Sequence, residues 1–273
     1  METPQIAFIG AGNMASSIIG GLIDSGHPAE QISAADPHPP TLEKLKDMAP
    51  VVVYSSNTEA ISAADVVILA VKPQAMAEAT ESIARGVAET EPVIISIAAG
   101  VTIASIQARL GTQAAIVRCM PNTPALLGCG ASALYANNKV SDQQREHAQT
   151  ILSAVGITRW VDNEQALDAI TALSGSGPAY FFLFLESLID AGVDLGLDRE
   201  TATTMALQTA LGASRMALEG EVELGELRRR VTSPGGTTER ALESFKSDNL
   251  GAVVERAVRA AADRAAELAV ELS

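Results

Sequence analysis

Histidine, cysteine and basic residues are all scarce in this chain of 273 residues. The three histidines, His27, His38 and His147, lie in no motif, so a Ser-His-Asp relay, a histidine zinc site and a histidine general acid lack support. Cys119 and Cys129 have no metal-ligand spacing; they read as free thiols in a reducing cytoplasm, and no metal is expected. Lys and Arg total 19 against 33 Asp and Glu, a formal net charge of −14, the reverse of the basic footprint that a nucleic-acid partner needs. No apolar run reaches the roughly 18 residues of a membrane span. The opening METPQIAFIGAGNM has no basic n-region, so neither a membrane partner nor a signal peptide is expected, and a cytoplasmic location follows.

What is present suits a well-packed α/β protein: 47% hydrophobic and 19% charged residues can bury a sizeable core. Short β-rich runs (QIAFIG, QISAAD, VVVY, DVVILAV, PVIISIA, AAIVRCM, SALYA, TRWV) alternate with helix-like segments such as TLEKLKDMA, PQAMAEATESIARG and SDQQREHAQTILSAVG. That alternation predicts a doubly wound, mostly parallel Rossmann-like sheet with helices on both faces. Beyond Asp162 the strands stop and alanine- and leucine-rich helical spacing takes over. The expected domains are therefore 1–162, binding a dinucleotide, and 163–273, all-helical. Helices so apolar on most faces need neighbours, which points to a second copy of the chain.

IAFIGAGNMA carries Gly10-Ala11-Gly12-Asn13-Met14-Ala15, a G-x-G-x-x-A pattern that follows an apolar strand and opens a helix. Gly10 permits the tight turn, Gly12 lets the backbone approach a pyrophosphate, and Ala15 lets helix and strand pack closely. Free N–H groups at the helix start then bind phosphate. Asp36 ends the second strand, where an acidic residue accepts from the ribose of NAD and repels the extra phosphate of NADP; the alternative is a turn or capping aspartate before Pro37. Two later strand ends, Ala70-Val71-Lys72-Pro73 and Ala98-Ala99-Gly100, also point toward the cofactor. Asn57 bonds the adenosine ribose or caps the next helix.

No base for a hydroxyl proton presents itself. LSGSGPAYFFLFLES lacks the lysine that β-hydroxy-acid dehydrogenases carry one turn into the corresponding helix; its Ser176-Gly177 start, with Pro178 in the first turn, reads as a helix N-terminus. Phe181, Phe182 and Phe184 read as core, and Tyr180 is left open. SPGGTTER then offers Gly235 and Gly236 for unobstructed backbone N–H groups, and Thr237 and Thr238 for hydroxyls. With the helix dipole this is either a site for a carboxylate or phosphate, or an ordinary capped helix with Glu239 as its box partner. Arg228-Arg229-Arg230 before it reads as cations at a helix C-terminus.

VTSPGGTTERALESFK resembles the signature of the Δ1-pyrroline-5-carboxylate reductases, and FIGAGNM, AVKP, SIAAGVTI, RCMPNTPALLG and LSGSGPAY resemble further motifs of that family in the same order, over nearly the whole chain. The resemblance implies reduction of 1-pyrroline-5-carboxylate to L-proline by NADPH or NADH, the last step of proline biosynthesis. It implies a homodimer through the C-terminal helices, and a decameric ring of dimers. Carried over by motif, the backbone at Gly235, Gly236 and Thr237 holds the substrate carboxylate and the Thr238 hydroxyl bonds the ring nitrogen. Ser233, Ser176 and Gly177 shape the same pocket, and Glu164 is a substrate-side carboxylate or a solvated surface residue. Ala11, Asn13, Met14, Asn57, Val71, Lys72 and Ala99 match cofactor positions. Many relatives have serine, threonine or a basic residue where Asp36 stands, so both NAD and NADP are kept. A non-catalytic redox sensor would need an output surface such as a basic helix-turn-helix, and this acidic chain has none.

Overall fold

The computed structural model describes residues 3–272. Among these, eight strands form one sheet: β1 (Ile6–Ile9), β2 (Ile32–Ala35), β3 (Val52–Tyr54), β4 (Val66–Leu69), β5 (Val93–Ser96), β6 (Ile116–Met120), β7 (Gly130–Ala136) and β8 (Gly156–Trp160). The order is β3-β2-β1-β4-β5-β6-β7-β8, and every neighbouring pair is parallel except β6 with β7. All eight expected strands are there. The strand order reverses between β1 and β4, which makes the carboxyl ends of these two strands the natural place for a ligand.

Strand periodicity divides the core into two layers. Ile6 and Phe8 face helices α1 (Asn13–Asp24), α2 (Pro39–Met48) and α6 (Asp142–Ser153), through Ile18, Leu22, Leu45 and Ile151. Ala7 and Ile9 face α3 (Asn57–Ala60), α4 (Met76–Thr90) and α5 (Ile103–Leu110), through Ala60, Ile83, Val87 and Ile106. Strands buried on both faces read as continuous apolar runs, which is why VVIL and VIIS stood out. Helix α5 escaped the sequence reading because it is short. Thr102 starts it, its hydroxyl accepting from the Ser105 N–H at 3.2 Å.

The remaining helices are α7 (Ala166–Ile170), α8 (Gly177–Asp194), α9 (Arg199–Glu219), α10 (Leu224–Arg230), α11 (Thr237–Ser247) and α12 (Leu250–Glu271). The chain forms two compact units, but they do not divide at residue 162. One unit runs up to Ser176 and resumes from Ala260; the other is Gly177–Arg259. The physical reason is that the segment after Asp162 is bonded to the sheet: Glu164 and Asp168 meet Arg118 of β6, and Asn122 reaches the Ser174 carbonyl. The end of α12 also belongs there, since Leu268 and Leu272 lie over Gly100.

In the Gly177–Arg259 unit, α8 and α9 form a hairpin in which Gly192 lies against Ala202, and the Asp198 carboxylate caps α9 by accepting from the Thr201 N–H at 2.9 Å. The Phe184 and Phe245 rings meet with centroids 6.4 Å apart and planes tilted by 45°. The expectation that Phe181, Phe182 and Phe184 are core is corrected: they are 66%, 63% and 48% exposed in the single chain. Leu183, between them, is 65% exposed, so α8 presents apolar side chains on consecutive positions around its axis. Ala166–Asp194 is one helical run that is long and apolar enough to cross a membrane by length and composition. Polar residues such as Asp168, Ser174 and Ser176 broke it up in the sequence reading.

Candidate active site

At the end of β1 the Gly10 backbone has φ +96°, and a Cβ placed there would lie 2.7 Å from the Ala70 carbonyl oxygen and 3.1 Å from the Val71 side chain. Only glycine fits, and its fit brings the β1 and β4 ends together. Gly12 starts α1 with nothing within 4 Å of where a Cβ would be. No side chain caps α1 and no acidic residue lies in its first turn. The N–H groups of Asn13, Met14 and Ala15 therefore have neither an intrahelical nor a side-chain claimant, and the dipole favours an anion. Buried Ala15 packs on the sheet as expected. Open backbone at Gly12 and an uncapped, acid-free helix start fit the pyrophosphate of a dinucleotide.

Asp36 has a role that the sequence reading only half anticipated. One carboxylate oxygen accepts from the His38 N–H at 2.9 Å, the turn role, and the other accepts from the Ala11 N–H at 2.9 Å. Asp36 thus ties the glycine loop to the β2 end. Asn57 does not cap α3; the Ser56 hydroxyl does, and the Asn57 amide donates to Ser82 Oγ at 2.9 Å. Lys72 is exposed and starts a 3-10 turn at Pro73, with its carbonyl accepting from the Ala75 N–H at 2.9 Å. Ala99, half-buried, precedes Gly100 under the end of α12.

Glu164 is not a solvated surface residue: its side chain is 21% exposed. One of its oxygens accepts from the Ile103 N–H of α5 at 2.8 Å and from Arg118 at 3.0 Å. The Arg118 side chain is 5% exposed, and Asp168 lies 4.0 Å away on its other side. Burial pushes the Asp168 carboxyl above the usual range, Arg118 draws it back, and Glu164 raises it. This cluster, which sequence reasoning missed, fastens α5 and α7 to β6. Its one signal was a charged residue inside the apolar run IVRCM. The neighbouring Cys119 thiol is fully buried and pushed up to about 12, which leaves it unreactive.

Ser176-Gly177 is not a free helix start. The helix runs on through a π turn, Thr171–Gly175, in which the Ser176 N–H donates to the Thr171 carbonyl at 2.8 Å. Pro178 has no N–H for the Ser174 carbonyl four residues back, and the Asn122 amide supplies the missing donor at 3.0 Å. The Asn122 oxygen in turn accepts from the Ala131 N–H at 2.8 Å. The π turn is a way around a helix-interior proline, held by a partner 52 residues away.

At the start of α11, Gly235 has φ +73° and Gly236 is the cap residue, with no side-chain cap. The Gly236 N–H closes a turn on the Ser233 carbonyl at 3.0 Å, while the Gly235 N–H donates to the Glu239 carboxylate at 2.7 Å. Threonines inside other helices, Thr80, Thr171, Thr203 and Thr209, donate to the carbonyl four residues back. Thr237 and Thr238 sit in a first turn with no helical carbonyl behind them, so their hydroxyls are not drawn into their own helix. Arg229 and Arg230, at the end of α10, pair with Glu226 at 2.6 and 3.0 Å on an exposed surface, where such pairs contribute little.

Comparison with known proteins settles the family. The chain is 56% identical over 272 residues to the pyrroline-5-carboxylate reductase of Pseudomonas aeruginosa, covering 100% of this chain and 99% of that protein. The chain belongs to the pyrroline-5-carboxylate reductase family. The Haemophilus influenzae reductase is 43% identical, with 98% of each chain covered. A solved pyrroline-5-carboxylate reductase from Coxiella burnetii superposes with TM-score 0.95 at 44% identity, covering 98% of this chain and 99% of that one. The Plasmodium falciparum pyrroline carboxylate reductase, solved with NADP bound, gives 0.86 at 31% identity, covering 98% and 99%. A family model described as pyrroline-5-carboxylate reductase dimerisation matches residues 164–268, and one described as NADP oxidoreductase, coenzyme F420-dependent, matches 5–100.

This pyrroline-5-carboxylate reductase is an NAD(P)H-dependent oxidoreductase of the last step of proline biosynthesis. Its C-terminal helices form a dimerisation domain. The exposed apolar side chains of α8 fall inside the stretch matched by the dimerisation family.

Proposed function

We propose that the reductase holds its dinucleotide at the β1 and β4 ends and the acid group of its ring imine at the start of α11. Gly10, Ala11, Gly12, Asn13 and Met14 hold the pyrophosphate, with Ala70, Val71, Lys72, Pro73 and Ala99 beside the nicotinamide half and Asp36 and Asn57 on the ribose side. The bound NAD(P)H supplies the hydride that reduces the C=N carbon. The chain's own residues bind and orient. Backbone N–H groups of Gly235 and Thr237 take the carboxylate, Gly236 holds the turn between them with its own N–H on the Ser233 carbonyl, and the Thr238 hydroxyl bonds the ring nitrogen. Ser233, Ser176, Gly177 and Glu164 are the further substrate-side residues. An imine that arrives protonated is already electrophilic, which suits a site with no strong acid or base. The functional division is 1–162 for the cofactor and 163–273 for substrate and dimer; the dimers form a decameric ring, and the enzyme works in the cytoplasm.

The observation that carries this reading is the helix start at Thr237. It has no side-chain cap, two threonine hydroxyls outside any helical bond, and a neighbouring glycine amide already bonded to a carboxylate. Thr238→Ala tests it. Turnover with 1-pyrroline-5-carboxylate should fall by about a hundredfold, while NAD(P)H affinity, measured by cofactor fluorescence, stays near the wild-type value. Undiminished turnover would remove Thr238 from the reaction.

A further inference from the structure

We infer that Glu239 is an internal occupant of the cradle for the substrate's acid group, displaced when the imine binds, so that residue 239 sets the affinity for imine and proline. The inference rests on the reading of residues 233–238 as that cradle. Its basis is the bond from the Gly235 N–H to the Glu239 carboxylate at 2.7 Å, which is the contact a bound carboxylate would make.

The bond is not the usual cap. In a capping box the side chain three residues into the helix returns to the N–H of the cap residue itself. Helix α6 has that arrangement, with Gln144 accepting from the Ser141 N–H at 2.9 Å and the Ser141 hydroxyl accepting in return. In α11 the cap residue is Gly236, whose N–H is already closed on Ser233. Glu239 passes it and reaches Gly235, the residue in the left-handed conformation.

The bond is also easily given up. Arg240, next in the chain, pairs with Glu243 at 3.1 Å, and among the described residues no ion pair includes Glu239. A half-buried carboxylate with one amide partner and no cation can turn into water at small cost. Two carboxylates cannot share one amide without repelling each other, so the incoming acid group and Glu239 exclude one another. Glu239 touches no reacting atom; it acts on KM and leaves the hydride step alone.

The test is steady-state kinetics of the full-length enzyme, with proline as product inhibitor, for wild type, Glu239→Gln, Glu239→Ala and Gly235→Ala. Both Glu239 variants should lower the KM for the imine and the inhibition constant of proline, by about threefold to tenfold, with glutamine the milder. The KM for NAD(P)H should not move. Gly235→Ala strains the left-handed position without meeting any atom within 4 Å, so it should raise the imine KM. If Gly235→Ala raises KM while neither Glu239 variant lowers it, the occupant is overturned and the cradle stands. A higher KM in Glu239→Ala that glutamine restores makes Glu239 a brace for the loop, which also overturns the inference. If no variant shifts KM or proline inhibition, the cradle falls as well.

Discussion

Gly10→Ala should weaken NAD(P)H binding by about a hundredfold or more, close to 3 kcal/mol. Two costs add. Alanine at φ +96° carries backbone strain of about 1–2 kcal/mol. Its Cβ would also stand 2.7 Å from the Ala70 oxygen, a backbone atom that cannot move without shifting the β4 end. The glycine loop must draw back, carrying the first-turn N–H groups of α1 with it. Gly26→Ala is the control: it has φ +90° but no atom within 4 Å. It should show the strain in thermal unfolding and leave cofactor affinity alone. Equal NAD(P)H affinities for wild type and Gly10→Ala, by fluorescence titration, would mean that the β1–β4 junction does not hold the cofactor.

Arg118→Met should destabilise the enzyme by about 3 kcal/mol, the low end of what breaking a buried ion pair costs. The low end applies because Glu164 and Asp168 keep 21% and 22% side-chain exposure and recover some hydration. At fixed protein concentration, which matters for a dimer, this corresponds to a fall in Tm of about 6–12 °C. Adding Glu164→Gln and Asp168→Asn should restore part of the loss, because the orphaned charges go with the arginine. Asp168 fixes the direction of the pH dependence. Its carboxyl is raised in the folded chain, so this group's contribution is greatest in acid and declines as pH rises through the carboxylate range. A Tm for Arg118→Met equal to wild type would show that the cluster does not hold the sheet to α7.

Much of this was legible in the chain itself. Apolar β-rich runs between amphipathic segments gave all eight strands, because strands buried on both faces have few other compositions. The glycine pattern after IAFI located the tight turn between β1 and α1, since backbone geometry there demands glycine. What stayed hidden depends on partners distant in sequence. Gly-Ser-Gly-Pro looks like a helix start unless one knows that Asn122 supplies the donor Pro178 lacks. Glu164 looks like a surface carboxylate until Arg118, 46 residues earlier, is brought beside it. The aromatics of α8 read as core because apolar composition alone does not show which side chains the single chain leaves exposed. Glu239 was visible as a possible box partner, but not its reach to Gly235.

The most direct measurement of the central claim is a crystal structure of the enzyme soaked with L-proline. Its carboxylate should lie on the backbone N–H groups between Gly235 and Thr238, its ring nitrogen within hydrogen-bond distance of the Thr238 hydroxyl, and Glu239 turned away from Gly235. Proline found elsewhere, with the Glu239 bond intact, would contradict the account.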